Sequence, residues 1–114
     1  MQTKFRTKIH GVSHGDRQKV IKKYLKPDQP LLLVREPRNK IDPNAIAVYL
    51  ERKTFLGKKR HHLGYLSEER AQIIAPALDA GWAHRVTVMD VTGGTADKPT
   101  LGVNIYIQLL EPAP

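Results

Sequence analysis

The chain has 114 residues, 40% of them hydrophobic, which is the size of one domain with material for one modest core. It contains no Cys, which excludes disulfide frameworks, thiol catalysis and cysteine-based zinc sites, and no apolar run approaches the roughly 18 residues of a membrane span. The net charge of +8 is divided unevenly, since residues 1–62 carry 16 Lys and Arg against 5 Asp and Glu while residues 63–114 carry 3 against 6, so a footprint for a polyanionic partner belongs to the first half.

Phe5 to Val12 alternates as a strand does, with Phe5, Thr7 and Ile9 on one face and Lys4, Arg6, Lys8 and His10 on the other. Asp16 is placed to cap a helix running to about Leu25, with Val20, Ile21, Tyr24 and Leu25 as its apolar stripe. Pro27 and Pro30 bracket a turn, and Leu31 to Arg35 is an apolar run short enough to be a buried strand, central in its sheet. Glu36 to Asn44 reads as an ordered loop because Pro37, Asn39, Asp42, Pro43 and Asn44 fix turns through their backbone preferences.

Ala45 to Leu50 resumes as a strand. Arg52 to His61, with Lys53, Lys58, Lys59 and Arg60 around Gly57, is expected to be a mobile basic loop leading to a short strand at His62 to Leu66. Ser67 can cap a second helix whose first turn holds Glu68 and Glu69, Pro76 should kink or restart it, and Gly81 is placed to end it, with Trp82 packed on the helix end. His84 to Val91 and Leu101 to Leu110 close the chain as strands joined by a flexible connection from Thr92 to Thr100. The order is β-α-β-β-β-α-β-β, a mainly β protein with two helices that predicts a small, partly open barrel. It is read as one domain over 1–114, with its core from about 5 to 110 and a flexible tail at 111–114, in a cytoplasmic protein without a signal peptide.

The loop run from Arg35 through Glu36, Pro37, Arg38, Asn39, Lys40, Ile41, Asp42, Pro43 and Asn44 into Ala45 to Val48 is the most particular feature of the sequence. Together with Gly11-Val12, Leu63-Gly64-Tyr65-Leu66 and Ala75-Pro76, it resembles the HIRAN domain family over roughly Phe5 to Leu110. That resemblance implies an OB-like barrel and, as in fork-remodelling members, a pocket that captures a single-stranded DNA 3′ end. The Asn and Asp of that pocket match Asn39 and Asp42. Ser13 and His14 stand where those members have an Arg-Tyr pair, and Tyr65 and Glu68 stand where they have a His and a Lys.

Weighed as chemistry, Asp42 repels phosphate, so in a basic loop it either accepts from a sugar hydroxyl or base amine, or it is an Asx-turn acceptor shaping its own loop. Asn39 carries the same two readings. Lys4, Arg6, Lys8, Arg38, Lys58, Lys59 and Arg60 are candidate phosphate contacts or a solvated face. Tyr65 and Tyr106 are candidate stacking platforms or edges of the core. The five histidines offer no ligand pair on a helical face, and His61 and His62, being adjacent in a strand, point to opposite sides. No metal or cofactor is expected.

The expected function is a non-enzymatic module that recognises single-stranded DNA or DNA 3′ ends, accessory to repair or fork-processing enzymes such as a helicase or nuclease. One alternative is a protein-interaction adaptor docking an acidic partner on the basic strand. Another is a small nuclease holding a metal on Glu36 and Asp42, which needs a larger carboxylate cluster.

Overall fold

Alternation of the apolar side chains dictates the architecture. In a computed structural model, which describes residues 2–114, six strands and two helices follow in the order β1 (Lys4–Lys8), α1 (Arg17–Tyr24), β2 (Pro30–Arg35), β3 (Ile46–Thr54), β4 (Gly57–Tyr65), α2 (Glu68–Asp79), β5 (Ala83–Thr92) and β6 (Gly102–Leu110). All pairings are antiparallel, in the strand order β1-β6-β5-β2-β3-β4. Strand β2 turns the corner, pairing with β5 through Pro30 and Leu31 and with β3 from Leu32 to Arg35. It is central in the sheet, as its apolar composition predicts.

The two edge strands meet at one residue pair beyond β1. His10 N–H donates to Tyr65 O at 2.8 Å and Tyr65 N–H to His10 O at 2.9 Å, which leaves a partly open barrel. Gly64 permits this approach. Its φ is +150°, and a Cβ there would lie 2.2 Å from the His10 carbonyl oxygen.

Inward-facing residues of every strand fill the core, among them Phe5, Ile9, Leu33, Val48, Leu63, Val86 and Ile105, with Val20 and Ile21 from α1 and Ile74 from α2. Burying each large apolar side chain contributes about 1.5–3 kcal/mol. Among the described residues no polar or charged residue is buried.

The helix ends follow their signals unevenly. Ser67 Oγ accepts from Arg70 N–H at 3.2 Å. At the other end Gly81, at φ +88°, lets its N–H reach Leu78 O and the Trp82 N–H reach Ala77 O, closing a Schellman motif that seats Trp82 on the core. Asp16 precedes α1 but makes no side-chain capping bond. Instead Gln18 Nε2 donates to Val12 O and Leu101 O, and its Oε1 accepts from Leu101 N–H, tying the first turn of α1 to the start of β6.

Three expectations are corrected. The first strand ends at Lys8 rather than Val12, because Gly11 at φ +77° turns the chain. Helix α2 continues through Pro76 as one element and does not restart there, although Pro76 has no N–H to give the Gln72 carbonyl. The segment from Arg52 to His61 is a β-hairpin and not a loop. Arg52 pairs with Lys59, Lys53 with Lys58 and Thr54 with Gly57, while Glu51 binds Lys58 at 3.5 Å and Arg60 at 3.0 Å. Residues 111–114 carry no regular structure.

Candidate nucleic-acid interface

The loop between β2 and β3 is built by its own polar side chains. Asn39 Oδ1 accepts from Ile41 N–H at 2.9 Å and Asp42 N–H at 3.1 Å, and Asp42 Oδ1 accepts from Asn44 N–H at 2.9 Å. These are the Asx-type contacts that hold such a loop rigid without strands. Arg35 fastens both its ends. Its guanidinium reaches the Pro43 and Ala45 carbonyls at 3.1 and 3.0 Å and grips Asp79 of α2 with two bonds of 2.8 and 3.1 Å. The hydrogen bond to Asp79 holds the Arg35 pKa above its ordinary value and depresses that of Asp79.

Against this loop the structure sets Tyr65, from the end of β4. Its hydroxyl donates to Glu36 Oε1 at 3.0 Å, an oxygen that also accepts from Asn39 Nδ2 at 3.0 Å. Burial, then the Glu36 hydrogen bond, raises the Tyr65 pKa, so the phenol stays protonated as a donor. Asn39, Ile41, Asp42, Ala45, Tyr65, Leu66 and Glu68 line one open depression of about 290 Å³. Its rim carries Ile41, 96% exposed. Asp42 Oδ1 is committed to the loop, whereas Oδ2 has no hydrogen bond among the described residues. A depression lined by both an acceptor and an aromatic residue suits a hydroxyl or amine donor attached to a flat group.

The remaining candidates lie elsewhere. His14 lines a separate depression with Arg17, Lys59, Arg60, His61 and His62, and Ser13 is exposed on the turn before it. Arg38 stands exposed on the signature loop. Lys4, Arg6 and Lys8 are exposed on the outer face of β1, while Phe5 and Ile9 are buried. Arg6 stands opposite Tyr106 in the register, with Lys4 opposite Gln108 and Lys8 opposite Asn104, so Tyr106 is a half-buried ring on a cationic face. Lys58, Lys59 and Arg60 sit on the β3–β4 hairpin.

Sequence reasoning missed the wall between the two depressions. Arg17 Nη1 donates to Gly11 O at 2.7 Å, and its Nη2 lies 3.0 Å from His62 Nδ1, while His62 Nε2 lies 3.0 Å from Gly64 O. The His62 ring stacks on Tyr49 at 4.9 Å and meets Tyr65 edge-on at 4.9 Å. Burial first, and then the Arg17 charge, depress its pKa. His61 faces the other way, accepting from Arg52 Nε at 3.0 Å and packing near Tyr24. The alternation of adjacent strand residues was the available signal for that divergence; the Arg17 contact had none. Among the described residues no three His, Asp or Glu group so as to hold a metal ion, and no helix is long and apolar enough to cross a membrane.

Comparison with known proteins agrees with this architecture. Sequence comparison with curated proteins gives no match. The fold is similar to the crystal structure of the HIRAN domain of human HLTF, with a TM-score of 0.64 and 18% identity, covering 96% of this chain and 77% of that one. It is also similar to a protein from Lactobacillus plantarum, with a TM-score of 0.62 and 21% identity, covering 92% of this chain and 98% of that one. The sequence matches the HIRAN domain over residues 2–109, and with the OB-like barrel in place the chain belongs to the HIRAN domain family of nucleic-acid-binding modules.

Proposed function

We propose that this domain binds single-stranded DNA and seats a free 3′ end in the depression of Asn39, Asp42 and Tyr65, without chemistry of its own. The observation that carries this reading is an Asp42 whose Oδ2 has no hydrogen bond among the described residues, lining the same depression as Tyr65. A carboxylate helps to hold a polyanion only by accepting from a hydroxyl or amine, and a 3′-terminal nucleotide offers that hydroxyl together with a base to stack. Loop shaping and recognition coexist, since Oδ1 serves the first and Oδ2 the second. Arg38 on the same loop, Ser13 and His14 on the preceding turn, and the cations of β1 with Tyr106 beside Arg6 supply contacts along the rest of the strand. The domain serves as an accessory to an enzyme that repairs DNA or processes forks, such as a helicase or nuclease.

The test is a pair of otherwise identical strands, one phosphorylated at the 3′ end and one at the 5′ end. A 3′-phosphate places about two negative charges against Asp42 and removes the donor, so that strand binds the wild-type protein more weakly. Asp42→Ala erases the difference. Equal binding of the two strands by wild-type protein rejects end recognition.

A further inference from the structure

The β3–β4 hairpin extends past the barrel wall and ends in Phe55 and Leu56, which are 97% and 86% exposed. Those two positions form the turn of a hairpin, where Asn, Asp and Gly are the favoured residues and apolar side chains serve no purpose in the fold. The tip is nonetheless ordered by its own bonds. Thr54 Oγ1 donates to Gly57 O at 2.7 Å and accepts from Leu56 N–H at 3.2 Å. The radius of gyration, 14.4 Å against about 13 Å for a compact chain of this length, fits a projecting element.

Behind the apolar tip the flanks are cationic. Arg52, Lys53, Lys58, Lys59 and Arg60 occupy the two strands, and their single carboxylate, Glu51, is already neutralised by Lys58 and Arg60. Arg52 is turned toward α1, its guanidinium 4.1 Å from the Tyr24 ring centroid. The other four cations are exposed. An apolar pair at the end of a rigid, cationic two-stranded ribbon has the chemistry of a wedge that enters a base step while its flanks neutralise the phosphates on either side.

We propose that this hairpin is a duplex-binding arm, with Phe55 and Leu56 pressed into a base step and Lys53, Lys58, Lys59 and Arg60 against the backbone. Charge complementarity selects the occupant. Four exposed cations, offset by the single Glu51 that Lys58 and Arg60 share, around only two apolar side chains match a duplex better than an apolar protein groove. The arm is a site separate from the depression. Its spacing, however, rests on the 3′-end reading: the eight-residue separation from Tyr65 to Gly57 along β4 corresponds to roughly 26 Å. That is about 8 base pairs of duplex beyond a seated strand end.

Duplexes carrying 2-aminopurine at successive positions test the arm, because this base brightens when unstacked. Wild-type protein should brighten a blunt duplex on binding. Phe55→Ser with Leu56→Ser should abolish the brightening and weaken duplex binding by about tenfold, with an unchanged melting temperature and unchanged binding of a short single strand. Asp42→Ala should keep the brightening on a blunt duplex. On a duplex with a 3′ overhang, wild-type protein should brighten the position about 8 base pairs from the seated end, and Asp42→Ala should lose only that register. Undiminished duplex binding by the double variant overturns the arm. So does a double variant whose only defect is lost sedimentation with vesicles of phosphatidylserine and phosphatidylcholine, a result that assigns the tip to a lipid surface. A failed register with intact blunt-duplex brightening refutes the 3′-end reading and leaves the arm standing.

Discussion

Arg17 donates to His62 Nδ1 at 3.0 Å, and together with the Gly64 carbonyl 3.0 Å from Nε2 this contact selects one tautomer of the imidazole. A guanidinium only donates and a carbonyl only accepts, so Nδ1 is the acceptor and Nε2 carries the proton given to Gly64 O. This arrangement favours the neutral ring, in the same direction as its lowered pKa.

A pH dependence of stability follows. Burial and the neighbouring Arg17 depress the His62 pKa, burial depresses that of His84, whose Nε2 accepts from Leu33 N–H at 3.1 Å, and burial with Arg52 and Lys59 depresses that of His61. The unfolded chain therefore binds more protons than the native one below the ordinary histidine value of about 6.5. The stabilisation is fully present above that pH and is lost as pH falls toward the depressed native values. Melting temperature followed from about pH 7 to about pH 5 should drop, and His62→Gln, which cannot take up a proton, should reduce the slope. A flat profile in wild-type protein would show that these rings take up protons alike in the native and unfolded states, and so that their pKa values are not depressed by folding.

Gly64→Ala should be among the most damaging single-methyl additions to the domain. The new Cβ meets the His10 carbonyl oxygen and Ile9 Cγ2 at a backbone conformation that disfavours any side chain. Strain and overpacking together predict a loss of about 2–4 kcal/mol in urea unfolding. A variant of wild-type stability would mean that the two edge strands are not joined there in solution.

Replacing Lys4, Arg6 and Lys8 with Glu should weaken binding of a single strand while leaving the melting temperature almost unchanged, because all three are exposed and Phe5 and Ile9 remain in the core. If each cation meets one phosphate, the slope of log K against log salt should become shallower by about 2 units. An unchanged slope would remove the outer face of β1 from the interface.

Sequence patterns revealed an element wherever one face of it is dry. The alternation of Phe5, Thr7 and Ile9, the cap at Ser67 and the signature loop from Arg35 to Asn44 all found their places. The hairpin beyond Leu50 escaped because both faces of a projecting ribbon are wet, so apolar alternation vanishes while the ladder persists through Glu51, Lys58 and Arg60. Tyr65, Asn39 and Asp42 were individually legible, and their convergence is a fact of topology. Arg17 and His62, 45 positions apart, and Glu36 and Tyr65, 29 apart, meet only once β4 has returned beside the loop and α1, a consequence of the barrel that no local pattern encodes.

The pair joining His10 to Tyr65 acts as the clasp of a ring that is otherwise sewn along its length. Tyr65 fastens that clasp with its backbone and offers its ring to the depression, so opening the one disturbs the other. Whatever rests on the ring must favour the shut state to the same degree that the shut state favours it. The His10 and Tyr65 amide protons thus become a built-in gauge of occupancy, trading with solvent more slowly when the depression is filled.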